Sequence, residues 1–109
     1  MTVGVLAEKL ALTPVAVCEP AREIDGVYIG DLLSWVMGGA NAGDAWVTIM
    51  TNINVIAVAS LADVACVILS ESVTPDEEMI NVAKAKGINL LGSDKTTFAL
   101  CGQIGNILK

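Results

Sequence analysis

The chain has 109 residues, of which 54% are apolar and only 4% are aromatic. It carries 12 acidic and 6 basic residues, a formal net charge of −6. The length excludes two ordinary domains, and the apolar content excludes intrinsic disorder. The acidic balance argues against binding to nucleic acid. We therefore expect a single domain over residues 1–109.

Hydrophobic spacing and capping residues predict helices that alternate with strands. Thr2 and Asp31 are the expected N-caps of the first two helices, and Thr74, Pro75 and Glu77 form a capping box for the fourth. In chain order, the predicted elements are a helix over 2–11, a strand over 15–18, a strand over 27–29, a helix from 31, a glycine-rich mobile loop over 38–44, a strand over 45–50, a helix capped at 51–52 that ends near 61, a strand over 64–69, a helix that stops at Gly87, a strand over 88–91 and a helix over 96–108.

This order of elements predicts a three-layer α/β/α fold with a mostly parallel sheet of about five strands. The longest apolar run, residues 55–69, is broken by Asp63 and is too short to span a bilayer, so no membrane association is expected. The start of the chain has no basic segment typical of a signal peptide, which indicates a cytoplasmic protein. The apolar excess in so short a chain predicts a homodimer.

Two helices have clear predicted apolar faces. The second helix is expected to bury its aliphatic side chains, and the last helix is expected to bury its aromatic one. The residues concerned are Leu32, Leu33, Val36 and Met37, widened by Trp35, in the second helix, and Phe98, Leu100, Cys101, Ile104 and Leu108 in the last.

The residues that enzymes commonly use are scarce. The chain contains no histidine, which excludes the serine and cysteine triads and all histidine metal sites. Cys18, Cys66 and Cys101 fit no zinc or redox spacing, and we expect each to be a small buried side chain. No phosphate-binding P-loop is present. We predict no catalytic residues, no metal and no cofactor.

Polar residues collect where the predicted strands end and helices begin. If the strands are parallel, these residues share one edge of the sheet, where free N–H groups of helix N-termini attract anions. This arrangement predicts a site for a nucleotide or another phosphorylated metabolite. The candidate ligand-binding residues are Asp31, Thr51, Asn52, Asn54, Ser70, Ser93, Thr96 and Thr97.

The same residue types are also the usual helix caps, and we favour that interpretation. Glu71 adds negative charge beside the candidate site, where Lys95 is the single basic residue. Trp35 and Trp46 flank the glycine-rich loop. Burial is the default for both tryptophans, but large aromatic side chains are also favoured at protein interfaces. We treat both as candidate interface residues.

Two segments carry a family resemblance. The sequence VYIGDLLSWVM over residues 27–37, together with NVIAVA over 54–59 and the capped helix at Pro75, resembles the DRTGG domain. That family is related to the N-terminal domain of HPr kinase/phosphorylase and occurs in some phosphotransacetylases and in some pyrophosphatases beside CBS domains. The resemblance extends over residues 2–107. The chain departs from it at Ser70-Glu71-Ser72, which replaces T-G-G, and around 52–54, where D-R is absent.

The resemblance implies a regulatory or assembly domain with no reaction of its own. Our first hypothesis is a stand-alone dimeric module that acts on an enzyme partner in trans. The alternative is a small-ligand sensor at the ends of the strands. A third possibility comes from the first helix, whose spacing is similar to that of a helix-turn-helix, but no basic second helix follows and the negative charge repels phosphate.

Overall fold

The computed structural model describes residues 1–108 of the chain. It contains five helices and five strands in the described range. The elements are α1 (Val3–Lys9), β1 (Thr13–Ala16), β2 (Gly26–Ile29), α2 (Leu33–Gly39), β3 (Asp44–Thr48), α3 (Ile53–Ala62), β4 (Cys66–Leu69), α4 (Glu77–Lys86), β5 (Leu90–Gly92) and α5 (Thr97–Leu108).

The five strands form one sheet in the order β1-β5-β4-β3-β2. Strands β2, β3, β4 and β5 are parallel, whereas β1 is antiparallel to β5. The predicted α/β fold with a mostly parallel sheet is therefore confirmed. Because four strands run in one direction, their carboxyl ends share one side of the sheet, called here the carboxyl edge, and the opposite side is the amino edge.

Each face of the sheet has its own core. Helices α1 and α5 cover one face, and α2, α3 and α4 cover the other. Strand β3 shows the alternation, since Ala45 and Val47 point to the first core and Trp46 to the second. Strands β3 and β4 are buried at every position. Burial on both faces explains why central strands are so continuously apolar.

Three predicted helix ends are confirmed. Thr2 caps α1 by accepting the Val5 N–H at 3.2 Å, and Asn52 caps α3. Gly87 ends α4 in the left-handed conformation. Asp63 also adopts that conformation and separates α3 from the segment that leads into β4, as its place in the apolar run predicts.

Two predicted caps are wrong. Helix α4 is capped by Asp76, whose carboxylate accepts the Met79 N–H at 2.8 Å, two residues later than the predicted Thr74. Residues 73–76 have no regular structure, so Thr74 and Pro75 lie in the loop before the helix. Helix α2 follows Leu32 without a side-chain cap, because the Asp31 carboxylate bonds to another strand.

The predicted apolar faces of two helices are corrected. In α2 only Val36 is fully buried, and Leu32, Trp35 and Met37 are exposed. Helix α2 lies beside α3 at the end of the sheet, so much of its surface has no neighbour. Phe98, in the first turn of α5, is 89% exposed rather than buried.

Several smaller expectations also change. Strand β1 begins two residues early, at Thr13, and the loop after α2 is confined to residues 40–43, since β3 begins at the buried Asp44. Cys66 is buried as predicted and Cys101 is half-buried, but Cys18 is exposed. Within residues 1–108, no helix has the length and apolar character needed to cross a bilayer.

Candidate functional site

The carboxyl edge carries the predicted ligand-binding residues in two groups. Asp31, Thr51, Asn52 and Asn54 follow β2 and β3, and Ser70, Ser93, Thr96 and Thr97 follow β4 and β5. Adjacent strands lie about 4.8 Å apart, so β2 and β5 are separated by roughly 14 Å. One small ligand does not reach all eight residues at once.

Asp31 joins β2 to β3 at this edge. Its Oδ1 accepts the Thr48 hydroxyl at 2.8 Å and the Ile49 N–H at 3.0 Å. Thr48 is buried, and its own hydroxyl oxygen accepts the Met50 N–H at 3.3 Å. These contacts hold the ends of two neighbouring strands together, so Asp31 has a structural task inside the chain.

The other residues of the β3 group lie around the start of α3. The Asn52 side chain accepts the Asn54 N–H at 3.0 Å, which satisfies one of the free donors at the helix N-terminus. Thr51 is half-buried, and the Asn54 side chain is exposed on the first turn. The structure brings this group together as a helix start.

The β4–β5 group is bonded across the two strands. The hydroxyl oxygens of Ser70 and Thr97 lie 2.6 Å apart. Ser93 is buried, and its Oγ accepts the Lys95 N–H at 3.1 Å. Thr96 accepts the Ala99 N–H at 3.1 Å in the first turn of α5. All four side chains have partners within the chain.

Glu71 is a participant that the sequence analysis did not select. Its carboxylate accepts the Thr97 N–H at 2.7 Å, so the N-terminus of α5 already holds an anion from the same chain. The Glu71 N–H donates to the Lys95 carbonyl at 2.8 Å, and the Ser72 N–H donates to the Ser93 carbonyl at 3.0 Å. The loop after β4 is thereby fastened to the loop after β5.

The backbone conformation of the loop after β4 explains why the DRTGG motif has glycines there. Glu71 and Ser72 have φ values of 62° and 59°, in the left-handed region that favours glycine. They occupy the two positions where the DRTGG motif places glycines. The replaced T-G-G was therefore the sequence signal for this turn. Each non-glycine residue there costs roughly 1–2 kcal/mol.

A cavity of about 380 Å³ opens at the carboxyl edge between β1, β5 and the loop before α4. Its wall combines aliphatic side chains with a few hydroxyls, and Asp94 is the one charged residue in it. Of the predicted ligand-binding residues, only Ser93 lines it. The lining residues are Thr13, Val15, Ser72, Val73, Thr74, Pro75, Ile80, Gly92, Ser93 and Asp94.

A smaller cavity of about 190 Å³ lies at the amino edge. Arg22 borders it, and its guanidinium donates to the Asp63 carboxylate at 3.1 Å and to the Asp63 carbonyl at 2.9 Å. Asn89, also in the wall, accepts the Glu19 N–H at 2.8 Å and donates to the carbonyls of Glu19 and Ala65 at 2.8 and 3.0 Å. The bonds of Asn89 join the segment after β1 to the segments that lead into β4 and β5.

Two of the three cysteines are buried or partly buried. Burial raises the pKa of the Cys66 thiol to about 12 and also raises the pKa of Cys101, so both thiols stay protonated at neutral pH and are poor nucleophiles. In residues 1–108, no three potential metal ligands lie close enough to bind a metal ion. Every buried polar side-chain atom of the same range has a hydrogen-bond partner.

The two tryptophans have different environments. Trp46 is fully buried, and its indole N–H donates to the Gly30 carbonyl at 2.9 Å, so it is a core residue with no surface to offer a partner. Trp35 is 71% exposed on α2. Of the two predicted interface residues, the structure thus leaves Trp35 available for a contact.

Comparison with known proteins supports the resemblance. No curated protein matches the sequence. A structure of the CBS and DRTGG domains from the regulatory region of Clostridium perfringens pyrophosphatase, complexed with its activator diadenosine tetraphosphate, is similar with a TM-score of 0.74 and 16% identity. The similarity covers 94% of this chain and 45% of that one, so this chain spans less than half of that region. At this identity, the similarity shows a shared fold.

The sequence itself identifies the family. The family model described as HPr Serine kinase N terminus matches residues 52–108, more than half of the chain. The matched segment begins at the cap of α3 and ends with α5, so it contains the strands and the loops of the β4–β5 group. The predicted relationship to DRTGG-type domains is confirmed, and the chain belongs to the family of the HPr serine kinase N terminus.

Proposed function

We propose that the chain is a non-catalytic regulatory module that acts through contacts with proteins, first with a second copy of itself and then with an enzyme partner. The observation that carries this proposal is a contrast in how side chains are used. Most polar side chains at the carboxyl edge are hydrogen-bonded within the chain, whereas several large apolar side chains on β2 and near the start of α2 are exposed to solvent.

Five of the exposed large apolar side chains lie on β2 or at α2, whereas Leu61 and Phe98 are exposed singly on α3 and α5. Val27 and Ile29 of β2 are 37% and 52% exposed, and Leu32 and Trp35 at the start of α2 are 59% and 71% exposed. An apolar surface of this kind commonly marks a site of protein interaction. The family relationship supports a regulatory role, since the similar fold is part of the regulatory region of a pyrophosphatase.

Sedimentation velocity over a range of micromolar concentrations tests self-association. We expect a dimer, or a monomer–dimer equilibrium that shifts with concentration. A monomer at every concentration would contradict the dimeric part of the proposal. An assay of the purified chain against nucleotides and acyl phosphates tests the other part, because turnover that is lost on point substitution would establish an enzyme.

A second candidate function is supported by the cavity of about 380 Å³ at the carboxyl edge. Its volume lies within the range of small-molecule sites. The pyrophosphatase region is complexed with a nucleotide activator, and we propose a nucleotide as the ligand class to test here. Because Asp94 is the one charged residue in the wall and Glu71 is nearby in sequence, the cavity suits a base or a ribose better than a phosphate.

A thermal-shift series with adenosine, adenosine monophosphate and diadenosine tetraphosphate tests this alternative. Ligand at about 100 times its Kd adds about 2.7 kcal/mol to the free energy of unfolding. Val73→Phe fills the cavity and should abolish the shift, whereas Leu61→Phe, on the exposed side of α3, should leave it unchanged. An equal shift in both variants would place the ligand elsewhere.

A further inference from the structure

We infer that two copies of the chain join edge to edge through β2, in antiparallel pairing, so that their two sheets become continuous. This inference rests on the proposed self-association and names the surface that carries it. The surface, called here the β2 edge surface, consists of the outer side of β2 and the exposed side chains of Val27, Ile29, Leu32 and Trp35.

Strand β2 is the last strand of the sheet, and only β3 pairs with it. Its outer backbone N–H and C=O groups therefore have no strand partner, which makes the strand a template for pairing with another chain. The usual protections are missing from its four residues, Gly26, Val27, Tyr28 and Ile29, since none of them is charged or is a proline. Its pairing with β3 continues without interruption through all four positions.

The side chains that flank this edge are apolar on both faces of the sheet. Val27 and Ile29 are in register with Ala45 and Val47, so they point to the face of α1 and α5, which leave them uncovered. On the other face, α2 lies over β2, because the Tyr28 hydroxyl donates to the Trp35 carbonyl at 3.3 Å. Helix α2 adds Leu32 and Trp35 to the same end of the molecule.

The distribution of charge favours a second copy as the occupant. The chain as a whole has a net charge of −6, so two copies repel each other over most of their surface. Residues 26–43, which form β2, α2 and the loop after it, contain one charged residue, Asp31. The Asp31 carboxylate is bonded to Thr48 and Ile49. The four residues of the β2 edge surface carry no charge, and the acidic side chains nearest to them in the sequence are Asp25, directly before β2, and Asp31.

The geometry of the strand is self-complementary. In an antiparallel pair, directly opposite residues point to the same face of the sheet. A two-fold axis at Tyr28, perpendicular to the sheet, therefore sets Val27 of one copy opposite Ile29 of the other. Such an isologous contact uses the same surface twice and closes at a dimer.

The size of the surface sets the expected strength. The four side chains of the β2 edge surface expose on the order of 400 Å² of apolar area. Trp35 accounts for much of this area. A standard interface removes about 800 Å² from each partner. Backbone pairing and the flanks of α2 supply the remainder, so we expect a dimer that dissociates in the micromolar range rather than an obligate one.

The experiment compares three forms of the full chain by sedimentation velocity: wild type, Ile29→Lys and Leu61→Lys. Ile29→Lys places like charges at the centre of the β2 edge surface, and lysine is well tolerated on exposed edge strands. Leu61→Lys is the matched control, since Leu61 is 74% exposed on α3, outside the surface. We expect Ile29→Lys to raise the dimer Kd at least tenfold and Leu61→Lys to leave it unchanged.

A second measurement guards against misfolding and reports on the strand directly. In an Ile29→Cys variant, the rate of thiol labelling should fall as the protein concentration rises, while the rate at Cys18 in the same molecule, exposed near β1, stays constant. A folded Ile29→Lys variant that remains dimeric, with labelling at position 29 independent of concentration, would refute this surface and leave self-association standing. A wild-type monomer would refute both.

Discussion

The two outermost strands of the sheet, β1 and β2, are built in different ways. At one edge, β1 contains Pro14, its register with β5 shifts between Pro14 and Ala16, and the segment after it is fastened by Asn89. At the other edge, β2 is regular, uncharged and flanked by exposed apolar side chains. Proline and an irregular register are devices that prevent pairing, and β2 has neither. The difference teaches that this chain blocks one edge of its sheet and leaves the other open.

The largest expected effect is on the side of the sheet that ends with β1. Asn89 is 3% exposed and makes three hydrogen bonds to the backbone at Glu19 and Ala65. Asn89→Ala leaves those backbone groups without partners, and we expect the free energy of unfolding to fall by about 3 kcal/mol in urea denaturation. Asn52→Ala, which removes one exposed cap, is the control and should cost about 1 kcal/mol. Equal losses in the two variants would show that Asn89 does not fasten this edge.

The next largest effect is expected on the side of the sheet that ends with β2. Asp31→Ala removes the acceptor that holds Thr48 and Ile49 to the end of β2, and we expect a loss of about 2 kcal/mol in the same measurement. Asp31→Asn keeps an acceptor oxygen at that position and should recover most of the loss. A similar loss in both variants would mean that the negative charge, and not the accepted hydrogen bonds, stabilises the strand end.

A third prediction has the opposite sign and concerns the loop after β4, which is fastened to the loop after β5. Ser72→Gly relieves a left-handed residue, and we expect the free energy of unfolding to rise by about 0.5–1 kcal/mol. Ser60→Gly, within helix α3, is the control and should lower it by about 0.5 kcal/mol. A destabilised Ser72→Gly variant would show that the Ser72 side chain contributes more than the backbone strain costs.

The smallest effect is expected from Pro14. Pro14→Val restores a backbone N–H on β1 but leaves the register shift and the Asn89 bonds in place. We expect the sedimentation profile to match that of the wild type and the free energy of unfolding to change by less than about 0.5 kcal/mol. New association in this variant would assign the protection of β1 to the proline alone.

Much of the architecture could be predicted from local signals. The apolar runs that became β3 and β4, the break at Asp63 and the caps at Thr2 and Asn52 depend on residues next to one another in the sequence. The direction of β1 could not be predicted, because a short strand carries no signal for which way it pairs. The exposure of α2 could not be predicted for a similar reason, since hydrophobic spacing does not show whether a helix lies at the end of a sheet.

The candidate site was predicted in its position but not in its connections. The strand ends do share one edge, as the parallel order predicts. Asp31 was assigned to a helix cap, yet it bonds to a neighbouring strand, because both roles need the same side chain and only tertiary structure decides between them. Glu71 and Asn89 were missed for the same reason, since their partners lie 26 and 70 residues away in the sequence.

The contrast between Trp35 and Trp46 gives the molecule two optical reporters. Trp46 is enclosed in the core and Trp35 is largely in solvent, so a soluble quencher such as iodide reaches one indole and not the other. The emission of Trp46 therefore follows unfolding, while the quenchable fraction follows events at α2. Protein chemists can thus observe folding and assembly separately in the unlabelled chain.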